Sequence, residues 1–212
     1  MSRPRILLAD DHRIVTEGLK SLLEPEFELV GTVADGRALL AAAEKLRPDV
    51  IVADISMPLL NGIDAVRQIK KVHAEIKIVF LTMHPDVTYA VSAFEAGASG
   101  YVLKHSAPAE LVTAIRSALQ GKTFVTPSLA GEFMERSTAR ATRRDVATRL
   151  TGRQREIVQL LAEGKSAKEI ADVLNISSRT VEFHKYRVMQ DLGLKSAAEL
   201  VHYAVRHGIV DK

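Results

Sequence analysis

The sequence contains no cysteine. Disulfide bonds, thiolate metal ligands and cysteine nucleophiles are therefore excluded. Long hydrophobic runs are also missing, since no apolar stretch approaches the roughly 18 residues of a membrane span, and the first residues lack the apolar segment of a signal peptide. We therefore expect a cytoplasmic protein without a membrane partner.

The sequence also lacks a strong excess of one charge, because its formal net charge is only +3. That charge is unevenly distributed along the chain. Residues 1–120 contain 13 basic residues (Lys and Arg) and 15 acidic residues (Asp and Glu). The corresponding numbers are 6 basic and 3 acidic in residues 121–149, and 10 basic and 8 acidic in residues 150–212. An acidic first half and a basic second half indicate two separate tasks. The basic excess is compatible with nucleic-acid binding but is too small to establish it.

The first 120 residues alternate short apolar runs with longer amphipathic stretches. Because the runs are apolar throughout rather than in alternation, they indicate strands covered on both faces. Five such repeats, roughly 20–25 residues apart, predict a doubly wound α/β domain with a five-stranded parallel sheet. The predicted strands are Ile6–Ala9, Leu29–Val33, Val50–Ala53, Ile76–Leu81 and Tyr101–Leu103.

The pattern from residue 150 onward is purely helical and predicts an all-α, four-helix unit. Glycines at 164, 193 and 208 stand where a left-handed residue ends a helix. Three helix starts fit a capping box, namely Thr151 with Gln154, Ser166 with Glu169, and Ser196 with Glu199. The predicted helices are 151–163, 166–174, 178–192 and 196–207.

Residues 122–148 separate the two patterns and predict a linker between domains 1–121 and 149–212. Pro127 opens a short amphipathic helix that is expected to end near Arg136. The following residues, 137–148, are rich in Ala, Thr and Arg and have no apolar period, which is typical of a linker.

Polar residues follow four of the predicted strands. Asp10 and Asp11 follow the first, Asp54 the third, Thr82 the fourth and Lys104 the fifth. Because parallel strands deliver their carboxyl ends to one edge of a sheet, these groups are expected to meet there. Three clustered carboxylates repel one another unless a cation lies among them, and Mg²⁺ prefers such oxygen ligands. One carboxylate could then attack phosphorus and form an acyl phosphate. The alternative is a set of solvated strand-end residues.

Two enzyme classes fit this edge poorly. A phosphatase of the haloacid-dehalogenase type needs a second Asp two residues after the nucleophile, but Asp54 is followed by Ile55 and Ser56. A nucleotide-binding domain needs a glycine-rich loop after the first strand, but His12 and Arg13 follow the acidic pair there. The chain is therefore not expected to be an enzyme beyond accepting and losing a phosphoryl group.

The polar residues at the strand ends, together with their neighbours, resemble the receiver domain of two-component response regulators, which has a flavodoxin-like fold. The resemblance covers about residues 4–120. It is carried by Asp10-Asp11, Asp54-Ile-Ser-Met-Pro58, Asn61-Gly62, Thr82 and Lys104.

The receiver resemblance implies a role for each matching position. Asp54 would be the phosphoacceptor, and Lys104 would pair with the phosphoryl group. Thr82 would move to bond that group, and Tyr101 would be the aromatic switch that swings inward. The implied Mg²⁺ ligands are Asp11, Asp54 and the main-chain carbonyl of Ser56, with Asp10 acting largely through water.

Two histidines lie close to this predicted site. His84, two residues past Thr82, would either tune the access of water to the acyl phosphate or be a solvated loop residue before Pro85. His12 is better interpreted as a residue at the N-terminus of the first helix than as a metal ligand, because Mg²⁺ disfavours imidazole.

The third helix of the C-terminal unit has one apolar face and one unusual polar face. Val181, Val188 and Leu192 share the first face, whereas Phe183 and Tyr186 project from the other. An outward-facing aromatic residue calls for a partner surface, and the DNA major groove fits. The alternative is a protein-interaction bundle in which Phe183 packs on the other domain.

Possible DNA contacts follow from the residue types along that helix. Glu182 can accept from cytosine N4, and Phe183 can pack on a thymine methyl group. Lys185, Arg179 and Thr180 would contact phosphates. The full set of expected DNA-binding residues is Arg179, Thr180, Glu182, Phe183, His184, Lys185, Tyr186 and Arg187.

The helical unit resembles the LuxR-type helix-turn-helix over about residues 150–210. The motifs are Leu150-Thr151, Arg155-Glu156, Gly164-Lys-Ser166, Lys168-Glu-Ile170, Ile176-Ser177, Thr180-Val-Glu182, His184, Gly193-Leu194 and Ala198-Glu-Leu-Val201. With a receiver, this resemblance identifies the NarL/FixJ class of response regulators. It implies that residues 178–192 form the recognition helix, and that the last helix dimerises near Leu200, Val201 and Ala204.

The two resemblances together predict a transcription factor that a partner histidine kinase or a small phosphodonor phosphorylates on Asp54. Phosphorylation would control homodimer formation and binding to promoter DNA. The alternative is a DNA-binding regulator whose receiver is a dimerisation module that does not depend on phosphate.

Overall fold

The computed structural model describes residues 3–140 and 150–210 of the chain. They form two compact units, an α/β unit that precedes the gap and a helical unit that follows it. Within these described ranges, no helix is both long and apolar enough to cross a membrane.

The first unit is built on a parallel sheet in the strand order β2-β1-β3-β4-β5-β6. Its central strands are buried along their length, which explains why the runs are apolar throughout. The strands are β1 (Arg5–Ala9), β2 (Glu28–Val33), β3 (Val50–Ala53), β4 (Lys77–Thr82), β5 (Gly100–Leu103) and β6 (Phe124–Val125).

The expected parallel sheet is confirmed, but the expected count of five strands is wrong by one. The sixth strand, Phe124–Val125, lies in the segment expected to be linker, and it pairs with Gly100 and Tyr101 of β5. A run of two apolar residues is too short to show a strand pattern. It becomes a strand because the edge of β5 offers unpaired backbone groups.

Five helices cover the two faces of this sheet. They are α1 (Arg13–Leu23), α2 (Gly36–Leu46), α3 (Gly62–Val72), α4 (Val87–Glu95) and α5 (Ala107–Leu119). The apolar faces of α1 and α5 pack on one side of the strands, where Leu19, Leu23, Leu111 and Ile115 join the core.

The expected linker begins with a longer helix than the sequence indicated. This helix, α6 (Pro127–Arg140), continues past the end expected near Arg136. Alanine, arginine and threonine have no apolar period here, but alanine and arginine are good helix formers and allow the helix to continue. The part of the expected linker from residue 141 to 148 lies outside the described residues.

The second unit has the four expected helices, within a residue of the expected bounds at each end. They are α7 (Gly152–Ala162), α8 (Ala167–Leu174), α9 (Ser178–Leu192) and α10 (Ala197–Arg206). The glycines at 164, 193 and 208 all have positive φ. Left-handed backbone of this kind favours glycine at helix ends.

Two of the three expected capping boxes are complete. Thr151 and Ser166 each accept a hydrogen bond from the third residue of their helix, whose side chain bonds back to the cap. Ser196 accepts from the N–H of Glu199, but the Glu199 carboxylate accepts from Lys195 instead. The third box was therefore half wrong, because a neighbouring N–H competes for the same carboxylate.

Candidate functional site: an acidic pocket and a recognition helix

Three aspartates converge at the carboxyl end of the sheet. Asp10 and Asp11 follow β1, and Asp54 follows β3, whose last residue Ala53 lies beside Ala9 in the register. One ligand atom from each aspartate and from His12 all lie within 4.8 Å of one another. The topology therefore brings together the carboxylates that the sequence placed at strand ends.

Asp54 is almost completely enclosed, with 4% of its surface exposed. Its Oδ1 accepts from the N–H of Ile55 at 2.7 Å, and its Oδ2 lies 2.6 Å from the Nζ atom of Lys104. Burial raises the pKa of Asp54 above its ordinary value, while Lys104 opposes that rise by favouring the carboxylate. The lysine therefore helps to keep a buried carboxylate ionised.

Lys104 bridges two of the carboxylates, since its Nζ also lies 2.8 Å from Oδ2 of Asp10. Burial alone would favour the neutral amine, but hydrogen bonds and charge from Asp10 and Asp54 raise the pKa of Lys104 above its ordinary value. The ammonium is thus held charged, next to the atom that would carry a phosphoryl group.

His12 occupies the N-cap position of α1, as expected from the sequence. Its Nδ1 lies 2.8 Å from Oδ1 of Asp11 and 3.2 Å from Oδ1 of Asp10. The ring therefore contacts the carboxylates rather than capping the helix through its side chain.

The donor set fits a hard divalent cation. Carboxylate oxygens from three aspartates face one small volume, and no thiolate is present in the sequence. Oxygen ligands of this kind suit Mg²⁺ and give little reason for a softer metal. The carbonyl of Ser56 as a further ligand stays a prediction.

The loop between Asp54 and α3 is shaped by Gly62. Its N–H donates to the carbonyl of Ile55 at 2.7 Å. A Cβ atom at this position would lie 2.0 Å from the main-chain oxygen of Asp54. Only glycine therefore allows the backbone to return so closely behind Asp54.

Thr82 is fully buried at the end of β4, and its Oγ1 accepts from the N–H of His84 at 3.3 Å. A hydroxyl has one proton and two acceptor lone pairs, so this contact leaves the proton available for a phosphoryl oxygen. The position of Thr82 therefore suits the role that the resemblance implies.

Tyr101 lies inward in this structure. Its ring is fully buried, and its hydroxyl donates to the main-chain oxygen of His84 at 2.8 Å. Burial raises its pKa well above the ordinary value, so the hydroxyl keeps its proton as a donor. The inward swing on phosphorylation stays a prediction, because the structure shows the inward position alone.

His84 is not the solvated loop residue that the sequence also allowed. Its Nε2 lies 2.8 Å from Oγ of Ser56, and its ring stacks on Tyr89 with centroids 4.1 Å apart. Sequence reasoning missed the contact with Ser56, because Ser56 lies 28 residues away. No spacing signal joins side chains at such a separation, and only the fold brings β3 and β4 together.

Helix α9, the expected recognition helix, presents the two faces predicted from its pattern. Val181 and Val188 are fully buried, while Phe183 is 57% and Tyr186 69% exposed. Phe183 and Tyr186 therefore lie outside the apolar core of their own unit. The ring of His184 lies edge-on to Phe183, with centroids 5.7 Å apart.

The charged residues of α9 pair only loosely along the helix. Nζ of Lys185 lies 3.6 Å from Oε2 of Glu182, and Nε of Arg187 lies 4.0 Å from Oδ2 of Asp191. Exposed pairs of this kind contribute little to stability, so these side chains can be redirected towards a partner at low cost. Arg179 is exposed near the start of the helix.

Two of the three expected dimerisation residues lie in the core. Leu200 and Ala204 are 1% and 0% exposed and pack with Val158 and Val188. They share one face of α10 because they are four residues apart, and that face is turned towards the interior. The expectation that Leu200 and Ala204 make direct dimer contacts is therefore wrong. Val201, in contrast, is partly exposed.

Comparisons with known proteins agree with this architecture. Residues 6–116 match the response regulator receiver domain, and residues 148–204 match the luxR family of bacterial regulatory proteins. The transcriptional regulatory protein MctR of Rhizobium johnstonii is 36% identical over 98% of this chain and 96% of its own length. The oxygen regulatory protein NreC of Staphylococcus epidermidis is 38% identical over 98% of this chain and 99% of its own length.

Two solved structures are also similar. RcsB of Salmonella enterica serovar Typhimurium, bound to promoter DNA with a beryllium fluoride phosphomimetic, is 30% identical with a TM-score of 0.60. The alignment covers 95% of this chain and 98% of RcsB. A LuxR-family response regulator from Aurantimonas is 41% identical with a TM-score of 0.61, over 65% of this chain and 99% of that one.

Proposed function

We propose, from the premise that this chain belongs to the NarL/FixJ type of response regulators, that Asp54 is its phosphoacceptor. The chain is a transcription regulator that depends on phosphorylation and carries a LuxR-type DNA-binding domain. The observation that carries the assignment of Asp54 is its geometry. A buried carboxylate lies 2.6 Å from a lysine and within 4.8 Å of two further aspartates.

The transfer step needs an ionised nucleophile. A carboxylate oxygen of Asp54 attacks phosphorus, and the bond between phosphorus and its donor breaks, leaving an acyl phosphate. The donor would be a phosphohistidine on a partner kinase, or a small molecule such as acetyl phosphate. Lys104 favours both the ionised carboxylate and the added negative charge, and Thr82 can donate to a phosphoryl oxygen.

The implied metal would be held by Asp11, Asp54 and the carbonyl of Ser56, with Asp10 near it. When bound, Mg²⁺ supplies charge neutralisation at the transferring phosphoryl group. Nζ of Lys104 lies 2.8 Å from Oδ2 of Asp10, and Nδ1 of His12 lies 2.8 Å from Oδ1 of Asp11, so both side chains adjoin the proposed ligands.

Metal binding should raise the thermal stability of the chain. At 100 times its dissociation constant, a ligand that binds only the folded state stabilises it by about 2.7 kcal/mol. We expect Mg²⁺ to raise the melting temperature of the unmodified chain, and Asp11→Asn to lose most of that rise. Differential scanning calorimetry with and without chelator measures both.

The matched control for that measurement is Asp49→Asn. Asp49 lies just before β3, at the opposite end from Asp54, and its carboxylate accepts from the N–H of Arg5. An asparagine keeps an acceptor there, so the Mg²⁺-dependent rise should be unchanged. An equal rise in Asp11→Asn would contradict the ligand assignment.

We expect His84 to shelter the acyl phosphate from water. Its imidazole is held by Ser56 and Tyr89 beside the acceptor loop, and replacing it with a methyl group opens that approach. His84→Ala should therefore shorten the lifetime of phosphorylated Asp54 severalfold, measured as loss of acid-stable, hydroxylamine-labile phosphate. A longer lifetime would instead mean that the imidazole activates the attacking water.

The DNA-binding half would act through α9. Its exposed aromatic residues and its basic side chains match the contacts that a recognition helix makes with base edges and phosphates. Two copies would bind half-sites about one helical turn, ~34–36 Å, apart. The kinase partner and the dimer are parts of this proposal, and a dimer contact would involve the partly exposed Val201 of α10.

A further inference from the structure

Two aromatic side chains of α9 lie on the surface of the helical unit. Phe183 is 57% and Tyr186 69% exposed, and no other large apolar side chain in the described residues 150–210 is as exposed. Val181 and Val188 of the same helix are fully buried. The apolar residues of α9 are thus divided between the core and a separate exposed set, Phe183 and Tyr186, which we call the aromatic pair.

The aromatic pair has a spacing that suits duplex DNA. Residues three apart are neighbours on one face of a helix. Three residues advance a helix by about 4.5 Å, at ~1.5 Å for each residue. Successive bases along one strand of a duplex are about 3.4 Å apart. The two side chains are therefore placed to meet two neighbouring base pairs, rather than a single pair or two distant ones.

The ring of Phe183 is supported before any partner arrives. The ring of His184 lies edge-on to it, with centroids 5.7 Å apart and an angle of 71° between the planes. This is a favourable arrangement for two aromatic rings. A side chain that is already oriented loses less conformational freedom on binding, so its contact contributes more to affinity.

The charges around the aromatic pair favour DNA as the partner. Residues 178–187 contain the basic residues Arg179, Lys185 and Arg187, and Glu182 is the single acidic residue among them. Basic side chains complement phosphates, and phosphates border both sides of the major groove. An apolar pair with basic neighbours therefore matches a groove that is apolar in places and bordered by negative charge.

We propose that the aromatic pair selects thymine by contacting the C5-methyl groups of two neighbouring A·T pairs. Phe183 has no polar side-chain atom, so it cannot read the hydrogen-bond donors and acceptors of the base edges. The thymine methyl is the apolar group that the major groove offers. The sequence allowed such a contact for Phe183, and the exposed ring of Tyr186 beside it adds a second. The inference rests on the proposed function, since it needs α9 in the major groove.

Uracil provides a direct test, because deoxyuridine differs from thymidine only by the missing methyl group. The probe is a duplex that the full chain selects from a random-sequence pool, and its half-sites should contain two neighbouring A·T pairs opposite α9. Replacing those thymidines by deoxyuridine should weaken binding about fourfold for each methyl group, as expected for one buried apolar carbon. Fluorescence anisotropy at fixed salt measures both dissociation constants.

Two variants separate the methyl contact from other effects of the base change. With Phe183→Ala and Tyr186→Ala combined, the thymine and uracil duplexes should bind with nearly equal affinity. Both side chains are exposed, so their loss should leave the core of the unit intact. Lys185→Ala is the matched control, because loss of a phosphate contact should weaken both duplexes by the same factor and preserve their ratio.

A measurement on the unmodified chain alone covers the case in which the alanine variant does not fold. Cytosine at the two positions removes the methyl groups, and 5-methylcytosine restores them on a different base. Methylation of those cytosines should recover affinity about fourfold for each methyl group. Unchanged affinity on methylation would overturn the proposal.

The outcomes keep the two proposals apart. If the chain selects a duplex and binds its uracil form equally well, the methyl contact is overturned and DNA binding through α9 stands. An equal loss with uracil in the alanine variant overturns it too, because the effect then belongs to the DNA. If the full chain selects no sequence and shows no salt-dependent binding, the proposed function itself is overturned.

Discussion

Asp54→Asn should reduce labelling by acetyl phosphate to background. The amide nitrogen and oxygen of asparagine do not provide the anionic oxygen that attacks phosphorus. The substitution is nearly isosteric, so the buried position and its contact with the Ile55 N–H should persist. Labelling is measured as phosphate that survives acid and is released by hydroxylamine, which separates an acyl phosphate from a serine or threonine ester.

Asp49→Asn is again the matched control, because it makes the same change at the other end of β3. It should label at the rate of the unmodified chain. Persistent labelling of Asp54→Asn would mean that another residue accepts the phosphoryl group. Loss of labelling in both variants would mean that the loss reflects damage to the fold and not the acceptor.

Lys185→Glu should weaken DNA binding at every sequence. The proposed contact is with a phosphate, and phosphate contacts contribute affinity without reading bases. Removing one such contact should reduce the slope of log affinity against log salt by about 1. Reversing the charge adds repulsion, so the loss should exceed that of Lys185→Ala in a salt-titrated fluorescence anisotropy assay.

Lys122→Glu makes the same change in net charge outside the helical unit. Lys122 is exposed just after α5, so its substitution tests whether overall charge alone explains any loss. It should leave both the affinity and the salt slope nearly unchanged. If Lys185→Glu behaves like Lys122→Glu, the assignment of α9 to the DNA surface is wrong.

The carboxyl-edge residues could be predicted because parallel strands end together. Asp10, Asp54 and Lys104 each follow a buried strand, and a parallel sheet leaves little freedom in where such residues go. The helix ends of the second unit could be predicted for a similar reason. Caps such as Thr151 and the glycine at 164 act locally, through bonds within a few residues.

The features that the sequence did not predict have a different cause. Each of them depends on a residue that is distant in sequence and near in the fold. The strand Phe124–Val125 exists because β5 lies beside it. The core position of Leu200 depends on which face of α10 meets the rest of its unit, and periodicity alone allows either the core or a dimer contact. The contact between His84 and Ser56 likewise joins residues whose separation carries no sequence signal.

The segment that follows α5 is bound to the first unit over much of its described length. Composition indicated a linker from residue 122, but Phe124, Thr126 and Phe133 are all bound to the receiver. The described part of the expected linker, β6 and α6, therefore packs on β5 and α4 of the first unit. A typical coupling free energy is about 1–3 kcal/mol.

The central claim is that the phosphoryl group on Asp54 controls DNA binding. The most direct measurement is the affinity of the full chain for promoter fragments, at fixed salt, before and after treatment with acetyl phosphate and Mg²⁺. We expect the affinity to increase about fivefold or more in the unmodified chain and not at all in Asp54→Asn. Equal affinity before and after complete phosphorylation would contradict it and would favour a receiver that acts independently of phosphate.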